Sequence, residues 1–467
     1  MKIKVSLPLK KIICIIAILF VKTNILLSQN SLFLKYPGLK ITPEDFIPSS
    51  AHAAGYMQYS YEDPIRDLFI TPGKNLPEFK ATGFLSYQFY ADDKEYNVTS
   101  YEPYFENYKS IFHKNHFPIG GVLNLYGITF GFLYGYGSIP MEHESKYNKG
   151  YGVSGDTLKS KGINKYYNLS FSANPISSLT LGISYASHDF NRDYTYGGQD
   201  YNIKYFIPDE LVVGVGYTFK DKFKIYLAYG NYKIKNEERR KNSLTPDLIT
   251  TIITDYNGNL FNLDLKYSYQ DNLSFYLRTS YDTRNIDWKE EKIEPQKTYS
   301  RFQDGNAKYY KIGFGTNYKL DKINFLSEFN YEPGYYNLQY ATTTVTWDPP
   351  VSGNEIYHYD WNFGLGVEVQ LFDFMKLQLG NRYYKSQRKL TQEVDLTKYS
   401  TFDPYFPTST NVITAGTEIR LFNFVFNYIF NHSSYQNYFI PNLSPFPPIQ
   451  FREFNPVQHK FLVRYEF

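Results

Sequence analysis

The residue types that carry catalysis or hold metal ions are present in this chain but dispersed. The eight histidines are His52, His113, His116, His143, His188, His358, His432 and His459. Only His113 and His116 stand close together. No carboxylate or cysteine lies beside them, so they read as solvated side chains at an outer rim rather than metal ligands. The one cysteine, Cys14, lies in an N-terminal apolar run. No nucleophile elbow, His-Glu-x-x-His helix or phosphate-binding loop occurs. The chain is therefore not expected to be an enzyme, and nothing in it calls for a cofactor or metal. Lysine and arginine number 49 against 46 acids. With no basic patch among them, nucleic acid is not an expected partner.

The charges that do stand out recur at every second position of apolar stretches: Asp264, Lys266, Arg278, Asp282, Lys311, Glu328, Glu368, Arg382, Glu418, Arg420, Arg464 and Glu466. Both signs are mixed, whereas an ion-selective pore lines its constriction with one sign. Mixed charge suits ion pairs that brace a plugged lumen, and it also suits any polar lumen. Gly214, Gly216, Gly313, Gly315, Gly364 and Gly366 share that face. They leave room for a plug, a ligand or strand bending.

Strands must position such a set. In Phe261–Tyr269 the odd residues are apolar or aromatic and the even ones polar; Gln270-Asp271-Asn272 follows, and Leu273–Tyr281 repeats the pattern. Tyr357–Leu371 alternates throughout, with Glu368 among its polar positions. Period two over such lengths marks strands with two unlike faces, about nine to eleven residues of which cross a bilayer on a tilt. Further hairpins join Leu211–Phe219 to Phe223–Lys235, Ala307–Leu320 to Ile323–Tyr331, and Asn411–Leu421 to Phe422–Phe430. Tight turns are expected near Tyr126-Gly127, Asn174-Pro175, Lys220-Asp-Lys222, Gln270-Asp-Asn272, Asp321-Lys322, Phe372-Asp-Phe374 and Phe422-Asn423. Longer polar loops are expected over Met141–Asn164, Asn236–Asn259 and Lys385–Thr410. With a first strand near Pro77–Phe89 and a last over Val457–Phe467, the fold class is all-β: a transmembrane antiparallel β-barrel of about 14–16 strands. Aromatics make up 19% of the chain and include 49 tyrosines, as suits membrane–water boundaries.

Lys2, Lys4, Lys10 and Lys11, the apolar run Ile12–Val21 and the small Ser28 read as a secretory signal over residues 1–28. Bulky isoleucines before Cys14 argue against a lipoprotein. The barrel is expected over 77–467 in the bacterial outer membrane, both termini periplasmic, bathed in lipid and lipopolysaccharide. The aromatic loops Tyr101–Tyr108 and Tyr438–Pro448 could capture a greasy ligand or pack among lipopolysaccharide tails.

Between signal and barrel, residues 29–76 lack alternation and are broken by prolines. The stretch Ser49–Asn75 resembles the N-terminal signature of the FadL-like superfamily of outer-membrane transport barrels. A small-residue and glycine run precedes an Asp-containing step and a proline turn. The matching positions are Ala51, Ala54, Gly55, Asp63, Leu68, Phe69 and Pro72, with Thr71 and Gly73 departing from the family's Asn-Pro-Ala. Ile207–Ile225 is similar to a mid-barrel hairpin of the same proteins. The resemblance implies that residues 29–76 form a hatch inside the barrel. It further implies passive uptake of hydrophobic compounds such as long-chain fatty acids. That family usually has fourteen strands. A general porin for small hydrophilic solutes, or a non-transport barrel partnering an envelope secretion or assembly protein, are the alternatives.

Overall fold

A sheet that alternates lipid-facing and inward side chains has to close on itself, because an open edge in lipid leaves backbone groups without partners. The computed structural model describes residues 50–74, save position 56, and 80–467, save position 221 and the segments 100–104, 149–152, 197–198, 243–248, 295–296, 342–353, 395–396, 403–407, 440–449 and 455–456. The expected signal over 1–28, the hatch residues 29–49 and most of the Tyr438–Pro448 loop lie outside the described residues.

Two short helices, α1 (Ser50–Ala53) and α2 (Pro64–Ile70), precede the sheet. The first nine strands are β1 (Ala81–Thr99), β2 (Phe105–Leu125), β3 (Ile128–Asn148), β4 (Val153–Ile176), β5 (Leu179–Tyr196), β6 (Gln199–Phe219), β7 (Phe223–Asn242), β8 (Ile249–Gln270) and β9 (Leu273–Glu294). The rest are β10 (Lys297–Leu320), β11 (Ile323–Ala341), β12 (Asn354–Phe372), β13 (Met375–Val394), β14 (Thr397–Phe402), β15 (Thr408–Leu421), β16 (Phe424–Phe439), β17 (Gln450–Phe454) and β18 (Val457–Glu466). β14 and β15 lie on the same neighbour, β13, and β17 and β18 both lie on β16. The eighteen segments thus make a sixteen-strand wall. Pairing of β1 with β18 over Thr82–Ala91 closes it, and every pairing is antiparallel.

The alternation is visible in burial. On β6, Leu211, Val213, Val215 and Tyr217 expose 40–43% of their surface, while Val212, between the first two, exposes 7%. The outward set supplies the lipid-facing band and aromatic girdle. Near the short-turn rim Phe372 stacks on Phe374 at 5.4 Å, and Tyr465 meets Phe467 edge-on at 4.5 Å. Short turns include the two-residue links Tyr126-Gly127, Asp321-Lys322 and Phe422-Asn423, whose first residues have φ of +54°, +52° and +56°. This is the left-handed geometry that matches hairpin twist.

Two expectations are corrected. The turn expected at Asn174-Pro175 falls at Ser177-Ser178; β4 continues through an irregular step between Ala173 and Ile176. Proline lacks the donor that a regular ladder needs, so it marks the irregularity rather than the turn. The stretches Met141–Asn164, Asn236–Asn259 and Lys385–Thr410 are largely strand. β3 runs to Asn148 and β4 starts at Val153; β7 ends at Asn242; β13 runs to Val394. Beyond the apolar band both faces of a strand are polar, so the ladder persists while the sequence pattern vanishes.

Candidate functional site

The described residues 50–74 cross the barrel interior and touch strands on all sides of it. Their path follows from small residues. Ala51, Ala53 and Ala54 are fully buried, and Gly55 turns the chain at φ +91°. There the backbone lies directly against the wall glycines: a Cβ on Gly366 would strike the Ala54 carbonyl, and one on Gly380 would strike the Gly55 amide. The Gly55 N–H donates to Thr414 Oγ1 at 3.0 Å, and that hydroxyl donates to the Ala53 carbonyl at 2.7 Å. At the other end Pro72 and Gly73 (φ +86°) occupy a second slot, walled by Gly182, Gly214 and Gly216. Gly313 and Gly315 make room for the Tyr59 ring, while Gly364 is filled by the Arg382 guanidinium. The paired glycines therefore fit the N-terminal segment into the wall.

Midway, the Glu328 carboxylate on β11 accepts three consecutive backbone N–H groups, from Gln58 at 3.0 Å and from Tyr59 and Ser60 at 2.8 Å each. It also accepts the Ser60 hydroxyl at 2.9 Å, and Arg382 on β13 holds its other side. Both side chains are sealed from solvent. Tyr59 donates its hydroxyl to the Phe314 and Phe329 carbonyls at 2.9 and 3.1 Å. Arg278 lies over its ring at 5.1 Å.

Asp63 caps α2, accepting from the Ile65 and Arg66 amides at 3.1 Å each, and Pro64 fills the first helical position. Arg66 ties the segment to itself, donating to the Met57 carbonyl at 2.9 Å and the Tyr61 carbonyl at 2.8 Å. One face of α2 places Ile65, Leu68 and Phe69 in an apolar cluster with Phe84, Val122, Leu133 and Leu462 from the wall. The Phe69 carbonyl accepts from Ser184 at 2.9 Å and Asn168 at 3.2 Å. All seven positions matched to the resemblance thus lie in the described segment: Ala51, Ala54, Leu68 and Phe69 in its buried contacts, Gly55 and Pro72 in glycine slots, and Asp63 at the helix cap.

Six of the twelve expected lumen charges show how the set divides. Arg278 chelates Asp264 at 2.6 and 2.5 Å, and Lys74 reaches the same carboxylate at 2.8 Å. Lys266 pairs with Glu62 at 2.9 Å, and the Tyr61 hydroxyl donates to Glu368 at 3.1 Å. Arg382 joins Glu328. Arg420 instead pairs with Glu418 at 2.8 Å and Glu466 at 3.9 Å near the short-turn rim, its side chain half exposed. Burial alone would raise the Glu62 carboxyl, but the cations Lys266, Lys224 and Lys74 hold it below the usual glutamate range.

Comparisons place this geometry beside solved barrels. No protein-family model matches the sequence, and no curated relative does. The chain is similar in structure to the Pseudomonas putida toluene transporter TodX (10% identity, covering 89% of this chain and 97% of that one, TM-score 0.46). It is also similar to the Ralstonia pickettii toluene transporter TbuX (9%, 89% and 97%, 0.41) and to a Pseudomonas aeruginosa FadL homologue (12%, 87% and 93%, 0.34).

His116 departs from expectation. It lies within β2 and is buried on the inward face, not solvated at a rim; the period that buries Val122 also turns His116 inward. The His113 side chain lies outside the described residues. Gln58, Tyr59, Ser60, Arg66 and Lys74 were missed in the sequence, as were Asn168, Ser184 and Thr414. Arg66 bonds within the segment, and the segment-to-wall contacts of the others join positions from 99 to 361 residues apart, so no local pattern marks them. Among the described residues no three His, Cys, Asp or Glu side chains converge as metal ligands. Two concavities of about 840 and 630 Å³ are lined mainly by outward residues such as Val213, Phe261 and Ile312, or Phe130, Phe132 and Leu169. Both open on the outer face of the wall, not into the lumen.

Proposed function

We propose that this chain is an outer-membrane channel for passive uptake of hydrophobic compounds such as long-chain fatty acids, with residues 29–76 as its hatch. The observation that carries this reading is the docking of residues 50–74 within the closed wall. The contacts join side chains and backbone groups of the segment to wall side chains and carbonyls, and none of them is a bond of the strand ladder. Such an element can be shifted as a body without disturbing the ladder that holds the barrel.

The test is a chain lacking residues 29–76, reconstituted in planar bilayers and in liposomes. Conductance should rise from near zero to steady large openings, and uptake of a hydrophobic tracer should lose saturability. Large steady conductance from the intact chain would mean a general porin instead. Co-purification with another envelope protein, with neither conductance nor uptake, would mean a non-transport barrel.

A further inference from the structure

Inside the barrel the charges described above are matched within the protein; on the outer face of β7 they are not. Alternation there places Lys233, Lys235, Glu237, Arg239 and Lys241 outward, in line with the lipid-facing Leu227 and Tyr229. All four cations are exposed, and none has an ion-pair or hydrogen-bond partner among the described residues. Two carboxylates are at hand, Glu237 in the same row and Asp255 opposite Lys235 on β8, and neither takes one of them. An outward cation two residues from an acid can be paired: on β9 Lys289 meets Glu291 at 3.9 Å. In the sequence the row is diluted by Ile234, Asn236 and Glu238, which alternation turns to the other face, so it emerges only in the sheet.

An apolar recess adjoins the row on its short-turn side. Tyr229, Phe261, Tyr281 and Tyr310 form one cross-strand tier over β7–β10. Beneath that tier Thr279 is small where its cross-strand partners are Leu263 and Ile312, and the concavity of about 840 Å³ opens there on the lipid face. We infer that this face of the wall holds one molecule of outer-leaflet lipopolysaccharide, an acyl chain in the concavity and its phosphates along Lys233–Lys241. Exposed Lys and Arg clusters beside apolar surface recruit anionic lipid headgroups. The length of the row selects among them. Lys241 is eight residues beyond Lys233, about 27 Å along the strand and, at a tilt of roughly 40°, about 20 Å along the membrane normal. A phospholipid headgroup layer is only about 5–8 Å thick, half the difference between a whole bilayer and its hydrocarbon core. Lipopolysaccharide carries phosphates on its lipid A sugars and again on inner-core sugars above them, so it can meet cations at both heights. The inference concerns the wall and not the lumen, so it stands apart from the uptake reading; it takes the long hairpins to face outward.

The experiment titrates the full chain, in a non-ionic detergent, with three probes and counts bound lipid by native mass spectrometry. The probes are rough lipopolysaccharide with a phosphorylated inner core, bis-phosphorylated lipid A, and dipalmitoyl phosphatidylglycerol. Lys233→Gln with Lys235→Gln should weaken both lipopolysaccharide and lipid A roughly twenty-fivefold, about fivefold for each cation removed. Arg239→Gln with Lys241→Gln should weaken lipopolysaccharide by a similar factor and leave lipid A unchanged, because lipid A lacks the upper phosphates. Thr279→Phe fills the concavity and should weaken lipopolysaccharide and lipid A by a common factor. All these side chains face away from the lumen, so unheated gel mobility should stay that of the folded barrel. Unchanged lipopolysaccharide affinity in Lys233→Gln with Lys235→Gln, or in Thr279→Phe, overturns the inference. Phosphatidylglycerol bound as tightly as lipopolysaccharide, with the same dependence on Lys233 and Lys235, would make this a site for any anionic lipid and overturn the assignment to a glycolipid.

Discussion

Replacing Glu328 by glutamine should release the N-terminal segment while leaving the barrel intact. The amide keeps the size of the carboxyl but removes its charge, and its nitrogen cannot accept from the backbone amides of residues 58–60. Arg382, fully buried, loses its counter-charge. Breaking a buried pair by altering one partner costs about 3–5 kcal/mol. The cost falls on the docked state, because the wall is held by ladder hydrogen bonds that do not involve Glu328's side chain. At about 1.4 kcal/mol per factor of ten, the undocked fraction should rise by roughly a hundredfold to a few thousandfold. The assay is limited proteolysis of residues 50–74 in detergent, alongside single-channel recording. Cleavage in Glu328→Gln should be fast, with frequent openings, while the barrel keeps its gel mobility without heating. The double variant Glu328→Leu with Arg382→Met should stay as exposed as Glu328→Gln, since it removes the orphaned charge but leaves the amides of residues 58–60 without an acceptor. Unchanged protection and conductance in Glu328→Gln would refute the argument that this carboxylate holds the segment.

Other expectations follow from the same contacts. Gly380→Val or Gly366→Val should expel the Ala54-Gly55 backbone from its slot and raise leak conductance, because a Cβ at either position overlaps that backbone; unchanged conductance would deny the slot. Gly55→Ala should destabilise docking by about 1–2 kcal/mol, since φ of +91° strains any L side chain, and the change should appear as faster hydrogen exchange over residues 50–60. Tyr59→Phe, which deletes two hydrogen bonds to wall carbonyls, should cost about 1–2 kcal/mol in the same exchange measurement. The Glu62 pair predicts a pH response of one sign. Its carboxyl is held below the ordinary value of about 4.3, so its contribution is present at and above that pH and is lost as pH falls through the depressed value. Protection of residues 60–66 should therefore stay flat from neutrality down to about pH 4.5, and its loss near pH 6 would contradict the pairing.

The wall was legible because lipid imposes alternation. Asp264 and Arg278 share a face by parity alone, and the structure pairs them directly in register. Seven short turns were foreseen, and six stand where Gly, Asp or Asn residues put them. The strand extensions above the apolar band were not legible, since nothing outside lipid demands an apolar outer face. The glycine pairs announced a close approach without saying to what. The contents of the interior were the least readable. Glu328 is an ordinary inward acid in the sequence, and its role comes from three amides some 270 positions earlier. Backbone donors carry no side-chain signature, so a site built from them appears only once the chain is folded.

The claim that the N-terminal segment gates the barrel can be tested by locking it. Lys311 Nζ donates to Gln58 Oε1 at 2.6 Å, so cysteines at these two positions would lie one short linker apart, and the mature chain expected here has no cysteine of its own. A chain carrying Gln58→Cys and Lys311→Cys can thus be bridged by a short bis-methanethiosulfonate and released by reduction, and uptake of a fluorescent fatty acid into liposomes measured in both states. Uptake should cease on bridging and return on reduction. Equal uptake in the bridged and reduced states would contradict the account.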